Sequence, residues 1–175
     1  MDRVRLMIPD ETMLDEVAAY RQAMVDAGSS MDGCGPMRTV ADPATWLKIN
    51  RDMENPETCP AHLVTATQYV LVRESDGRIV GMLQFRHTLN DYLRKFGGHI
   101  GYSVRPDERR KGYAAEMLRL TLPLCKEKGL DRVLITCNRD NEGSRRTILK
   151  NGGVFEAEEL DPSDGNITQR YWITL

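Results

Sequence analysis

The chain has 175 residues, 41% of them hydrophobic and 29% charged, with 24 Lys and Arg set against 26 Asp and Glu. That length supports one hydrophobic core, and a net charge of −2 supplies no global attraction to nucleic acid or to an anionic membrane. Apolar runs such as Tyr69-Val70-Leu71-Val72 fall far short of the roughly 20 residues that span a bilayer, and Met1-Asp2-Arg3 leads into no secretory signal, so the sequence predicts a cytoplasmic protein with no membrane contact.

Val4 to Ile8 reads as a short first strand stopped by Pro9. Met13, Leu14, Val17, Ala18, Arg21, Met24 and Val25 then recur with helical spacing until Gly28, and Gly28 to Pro36 reads as a connecting loop. Asp42 followed by Pro43 predicts a cap and first turn, opening a helix that carries Trp46, Leu47, Asn50 and Met53. Gln68 to Arg73 and Ile79 to Phe85 flank the turn Ser75-Asp76-Gly77 and predict an antiparallel hairpin. A helical turn over Leu89 to Phe96 precedes Gly97-Gly98, and His99 to Val104 predicts a strand with Ile100, Tyr102 and Val104 on one face.

Beyond Gly112, the residues Ala114, Met117, Leu118, Thr121, Leu122 and Cys125 predict a helix up to Gly129, with Pro123 bending its last turns. Arg132 to Cys137 predicts a central strand, Asn141 caps a helix running to Asn151-Gly152, and Val154 to Glu156 with Ile167 to Thr174 complete a sheet. The fold class expected is mixed α/β (α+β), a mostly antiparallel central sheet flanked by helices in one domain, 1–175.

Cys34, Cys59, Cys125 and Cys137 lie 25, 66 and 12 residues apart, the spacing of neither a redox pair nor a zinc site. They read as reduced thiols, and His62, His87 and His99 form no metal signature, so no metal is expected. The chemistry concentrates in Ile100 to Leu118, IGYSVRPDERRKGYAAEML. There a strand ends and a helix begins within a run of Arg109, Arg110, Lys111 and Gly112. A helix start exposes unpaired N–H groups and the positive end of the dipole, Gly112 lets a ligand approach the backbone, and three cations add attraction, so a phosphate fits. No Gly-Lys dipeptide and no G-x-G-x-x-G occurs, which removes the common nucleotide loops.

The spacing Arg109-x-x-Gly112-x-Ala114 resembles the pyrophosphate loop [QR]-x-x-G-x-[GA] of the GNAT superfamily of N-acetyltransferases. Its setting carries the resemblance: an alternating strand ending Val-x-Pro, an amphipathic helix, the strand Arg132 to Cys137, then Asn141-x-x-Ser144 and Gly152 to Phe155. GGHIGYSVRP and RRKGYA look most like a group of bacterial GNAT proteins. The resemblance covers 68–156 as an acetyl-CoA-binding core, with acceptor-side helices and loop over 1–67 and a C-terminal strand region over 157–175.

The resemblance implies that backbone groups of Tyr102, Ser103 and Val104 pair with the pantetheine arm. Arg109, Arg110, Lys111, Gly112, Tyr113 and Ala114 would hold the diphosphate, and Asn141 and Ser144 would contact the cofactor. It implies acetyl-CoA as co-substrate and direct transfer of an acetyl group to a primary amine, the acceptor being a small molecule or a peptide. Two departures bear on mechanism. The family's common tyrosine, seven residues after the asparagine, is Ile148 here, and its common glutamate or histidine, eleven before the loop arginine, is Gly98.

His99 and Tyr102 are then the candidate catalytic residues, each with a structural alternative: a satisfied core histidine and a core aromatic. Cys137 reads as a buried hydrophobe rather than an acyl carrier. The departures also open a second reading, a non-catalytic acyl-CoA sensor. Nucleic-acid binding is disfavoured by the charge balance, and a homodimer through outer strands fits the fold class. Acceptor specificity is expected in the first two helices, the Gly28 to Asp42 loop and the Leu89 to Phe96 segment.

Overall fold

The computed structural model describes residues 1–175. Four strands, β1 (Val4–Met7), β2 (Ala66–Arg73), β3 (Ile79–Arg86) and β4 (Ile100–Val104), form one antiparallel sheet in that order. Three more, β5 (Arg132–Asn138), β6 (Val154–Leu160) and β7 (Ile167–Thr174), form a second sheet in the order β5-β7-β6. The helices are α1 (Leu14–Asp26), α2 (Pro43–Glu54), α3 (Tyr113–Glu127) and α4 (Glu142–Lys150). None is long and apolar enough to cross a membrane.

Strand alternation sorts the core into two layers. On β2 and β3, Val70 and Met82 pack with Val17, Tyr20, Met24, Trp46 and Leu47 of α1 and α2. Leu71 and Leu83 face the other way, toward Met117 and Leu118 of α3 and Ile148 of α4. Local chemistry sets the helix starts. The Asp42 carboxylate accepts the N–H of Thr45 at 2.9 Å, and the Asn141 side chain accepts the N–H of Ser144 at 3.1 Å. Pro123 lies inside α3, which runs on past it.

The single central sheet expected from the sequence is divided between β4 and β5, and Gly98-His99 lies at the seam. Gly98 has φ of +66°, and a Cβ there would stand 2.6 Å from the Leu134 carbonyl oxygen, so only glycine lets the two backbones approach. The N–H of His99 donates to the Leu134 carbonyl at 2.8 Å, while the Leu134 N–H donates to His99 Nδ1 at 2.9 Å. One imidazole thereby substitutes for a strand residue. Past this joint no ladder connects β4 to β5, and a cleft of about 970 Å³ lies along them.

An Nδ1 that accepts an amide proton must be unprotonated, so His99 is neutral in the fold, and burial with the Arg86 charge holds its pKa down at about 4. His87 is likewise held down at about 4, by burial and Lys128; its ring nitrogens contact Thr67 Oγ1 at 2.8 Å and Thr65 Oγ1 at 2.9 Å. Both folded values lie below the unfolded one. Stability is therefore complete above pH 6.5 and is lost as pH falls toward about 4, because the unfolded chain takes up the protons first, at a cost of order 3 kcal/mol per histidine. Urea midpoints should be flat from pH 8 to 7 and drop steeply from 6.5 to 4.5. A flat profile across that range would contradict these protonation states.

Candidate active site

The cleft is built where three backbone features meet. Strand β4 pairs with β3 through alternate residues, as the bonds from Arg105 N–H to the Val80 carbonyl and from Arg86 N–H to the His99 carbonyl show. Antiparallel alternation then turns the amide and carbonyl of Tyr102 away from β3, toward the gap before β5. That edge is free to pair with an extended ligand.

At the end of β4 the chain passes through Arg109 to Ala115 into α3. Arg110, with φ of +63°, and Gly112, with φ of +88°, both take the left-handed conformation, which curls the loop so that successive amides point the same way. None of the backbone N–H groups from Arg109 to Ala115 has an acceptor within the chain. With the N-terminal end of α3 behind them, these donors fit a diphosphate without any side chain taking part.

The loop's cations are disposed differently from one another. The Arg109 guanidinium folds back, donating through Nε to the Val104 carbonyl at 3.1 Å and through Nη2 to Ser29 Oγ at 2.9 Å. Lys111 turns from the cleft to Glu108, at 2.7 Å. Glu108 is 2% exposed and also meets Arg73 and Arg78; burial pushes its carboxyl up, but the Lys111 and Arg73 contacts outweigh that and hold it low. Only Arg110 has no partner among the chain's hydrogen bonds and ion pairs, so the threefold attraction expected of the run is reduced to one free side chain, with Arg109 shaping the loop.

Tyr102 spans the cleft. Its hydroxyl meets Ser144 Oγ at 2.7 Å, and burial raises its pKa well above the ordinary phenol value, so it stays protonated. Ser103 faces the other layer, with its hydroxyl on Tyr20 at 2.9 Å and Cys34 at 3.3 Å, and the same alternation pairs its backbone with Met82 of β3, so of the residues expected to pair with the pantetheine arm Ser103 is turned away from the cleft edge. Tyr113 is buried, and its hydroxyl donates to Asp2 at 3.4 Å. Ala114, Asn141 and Ser144 line the cleft. Among the residues singled out from sequence, His99 and Lys111 do not line it.

Ile148 is fully buried in the core with Met117 and Leu118 and does not line the cleft. Cys137 lines the cleft, but burial pushes its thiol up, with smaller opposing effects from Arg145 and Ser144. The Gly28 to Pro36 segment is more than a connection. Gly33 packs against β4, where a Cβ would fall 2.3 Å from the Gly101 carbonyl oxygen, and Gln68 and Trp46 donate to the Gly33 and Cys34 carbonyls, each at 2.7 Å. Asp32 and Arg86 also line the cleft. Sequence reasoning passed over Arg86, which ends β3 beside the apolar run and carries no motif.

Residues 3–154 match the family profile described as Acetyltransferase (GNAT) domain. A search among curated proteins returns no match. Among solved structures, the ribosomal-protein-S5-alanine acetyltransferase of Vibrio fischeri superposes with a TM-score of 0.72 at 18% identity, covering 99% of this chain and 94% of that one. The ribosomal L7/L12 alpha-N-protein acetyltransferase RimL, in complex with coenzyme A, gives 0.72 at 15% identity, with 98% and 94% covered. The microcin C7 self-immunity acetyltransferase MccE, in complex with acetyl-CoA and AMP, gives 0.70 at 17%, with 100% and 94% covered. At such identities the likeness is one of fold, but the profile spans most of the chain, and with the split sheet and the amide-lined loop at its cleft it places this protein in the GNAT acetyltransferase family.

Proposed function

We propose that the protein binds acetyl-CoA and transfers its acetyl group directly to a primary amine. The row of unpaired amides from Arg109 to Ala115, opening onto the free edge of β4, is the observation that carries this reading. The amides take the diphosphate, Arg110 adds the one free cation, and the Tyr102 backbone aligns the pantetheine arm like an added strand. Asn141 and Ser144 lie at the opposite wall, on the first turn of α4.

In the transfer, the amine nitrogen bonds to the acetyl carbon, the carbon–sulfur bond breaks, the amine loses a proton and the coenzyme A sulfur gains one. An amine with a pKa near about 10 is mostly protonated at neutral pH, so its proton leaves to water in the cleft before attack. Tyr102 supplies the proton that the departing sulfur gains, and the further proton that the nitrogen loses after attack returns to the Tyr102 phenolate through water in the cleft. Its phenol is kept protonated by burial and is held by Ser144 at the wall where the family's α4 tyrosine is replaced by Ile148. His99 does not exchange protons; it fixes the seam and so the separation of the two strands. Alignment of the two substrates supplies the larger part of the acceleration.

The test is release of free thiol from acetyl-CoA in the presence of a panel of amines. Turnover well above thioester hydrolysis is expected with at least one of them, whereas cofactor binding without turnover would favour the sensor reading. Tyr102→Phe should lower kcat about 100-fold or more, the range for loss of a general acid, while leaving the dissociation constant of coenzyme A within about twofold. An unchanged kcat would remove Tyr102 from the proton path.

A further inference from the structure

Arg86 is the feature of the cleft that acetyl-CoA binding leaves unexplained. It ends β3, lines the cleft and is partly buried, with Nη2 still accessible from the cleft. Its hydrogen bonds all go to neutral acceptors: Nε to Gln84 Oε1 at 3.2 Å, and Nη1 to the carbonyls of Gly97 at 2.9 Å and Gly98 at 3.3 Å. Nη2 has no acceptor within the chain. Burial lowers the pKa of this guanidinium, with Asp32 and Tyr92 opposing the shift, yet neither comes close enough to form a pair. Asp32 is exposed, and its Oδ2 accepts the Ser30 hydroxyl at 2.9 Å.

The contrast with the other withdrawn arginines is direct. Arg73 meets Asp76 and Glu108, Arg105 meets Glu16, and Arg170 meets Glu156 and Glu159. A desolvated cation without a counter-charge is costly, and the cost is removed when a ligand brings the anion. Two glycines hold the guanidinium at the cleft wall. A Cβ on Gly101 would stand 3.2 Å from Arg86 Nη2 and 3.3 Å from the Gly33 nitrogen, so glycine lets the Gly33 loop and the guanidinium pack closely against β4, where Arg86 and Gly101 both line the cleft. This is the layer of α1 and α2, opposite to the one Tyr102 enters, and far along β4 from the amide loop. The diphosphate therefore does not supply the anion.

We infer that Arg86 binds a carboxylate of the acceptor, so that the substrate class is an amine that also carries a carboxylate group. A planar guanidinium already anchored at Nε and Nη1 offers Nη2 in a fixed direction, which gives orientation as well as charge. Asp32, which also lines the cleft, can attract the ammonium of the arriving amine before its proton leaves. Free amino acids and peptides with a free N-terminus and a nearby acidic side chain both present this chemistry. The inference rests on the acetyl-transfer reading and specifies its acceptor.

The experiment compares matched acceptors by thiol release: each amino acid with its carboxamide, and dipeptide amides whose second residue is Asp or Glu with their Asn or Gln counterparts. At least one carboxylate member should exceed its neutral partner in kcat/KM by about 30-fold, the scale of one charge-assisted contact pair. The arm in which the difference is found identifies the source. Arg86→Gln should bring the ratio near one by slowing the carboxylate member only, Arg86→Lys should retain part of it, and calorimetry should find coenzyme A binding unchanged in both. Equal rates for matched pairs in the wild type would overturn the inference while leaving acetyl transfer intact. Equal slowing of both members by Arg86→Gln would overturn it in favour of a clamp on Gly97 and Gly98. Calorimetry with N-acetyl amino acids and their amides on the coenzyme-A-saturated protein reads the same preference without turnover, and equal affinities there would also overturn it.

Discussion

Replacing Gly112 with valine should weaken coenzyme A binding at least about 30-fold, close to 2 kcal/mol, while the protein stays folded. Gly112 sits at φ of +88°, where a β-branched residue is strained, and the loop's relief is to turn its peptide planes. Turning them re-aims the amides of Arg109 to Ala115, the donors assigned to the diphosphate. The fold should survive because a Cβ at this position meets nothing nearer than Met1 Sδ at 3.5 Å. Gly112→Ala adds a milder strain and should cost several-fold. Calorimetric titration reads both; affinity in the valine variant within twofold of the wild type would mean that the loop conformation is not what binds.

His99→Ala should destabilise the protein by about 3 kcal/mol or more, from a buried Leu134 N–H left without an acceptor together with the cavity left by the ring. The ring packs edge-on to Trp172 at 6.4 Å between centroids, so its loss is felt in both sheets. Asn at this position offers a carbonyl oxygen near the place of Nδ1, and His99→Asn should recover part of the loss. The two denaturation midpoints separate this joint from simple packing: equal losses in the two variants would mean that the accepted Leu134 N–H contributes little. Since the joint sets where β4 and β5 part, the alanine variant should also bind coenzyme A more weakly even when fully folded.

What the sequence made legible was local. Asp42 and Asn141 cap the helices that follow them, because a short oxygen-bearing side chain reaches the first-turn amides from its own chain. The hairpin of β2 and β3 is written in two alternating runs and a turn, and the strand-loop-helix carrying Gly112 is continuous in the chain. The long-range joints were not legible. His99 finds Leu134, and Arg109 finds Ser29, only after the fold has brought distant segments together. For the same reason a charge run read as three cations becomes one free cation, since Glu108 collects Lys111 together with Arg73 and Arg78 from the hairpin.

The acidic run Glu156-Ala157-Glu158-Glu159-Leu160 shortened the expected sixth strand, because glutamate has low strand propensity. The strand continues to Leu160 because Arg170 on β7 pairs with Glu156 and Glu159, and Gln169 donates to Glu158. Cross-strand partners outweigh intrinsic preference at this edge. Arg86 escaped notice for a related reason: its place in the cleft depends on Gly33 and Gly101, which are remote from it in sequence and conspicuous only once packed.

Amide hydrogen exchange across the loop, with and without saturating coenzyme A, shows whether the backbone amides between Arg109 and Ala115 hold the diphosphate as proposed. These amides should slow by about tenfold or more on binding, while those of the Asp161 to Asn166 turn, on the opposite side of the cleft, should not respond to the same degree. Unchanged exchange from Arg109 to Ala115 in a protein shown to be saturated would contradict the account.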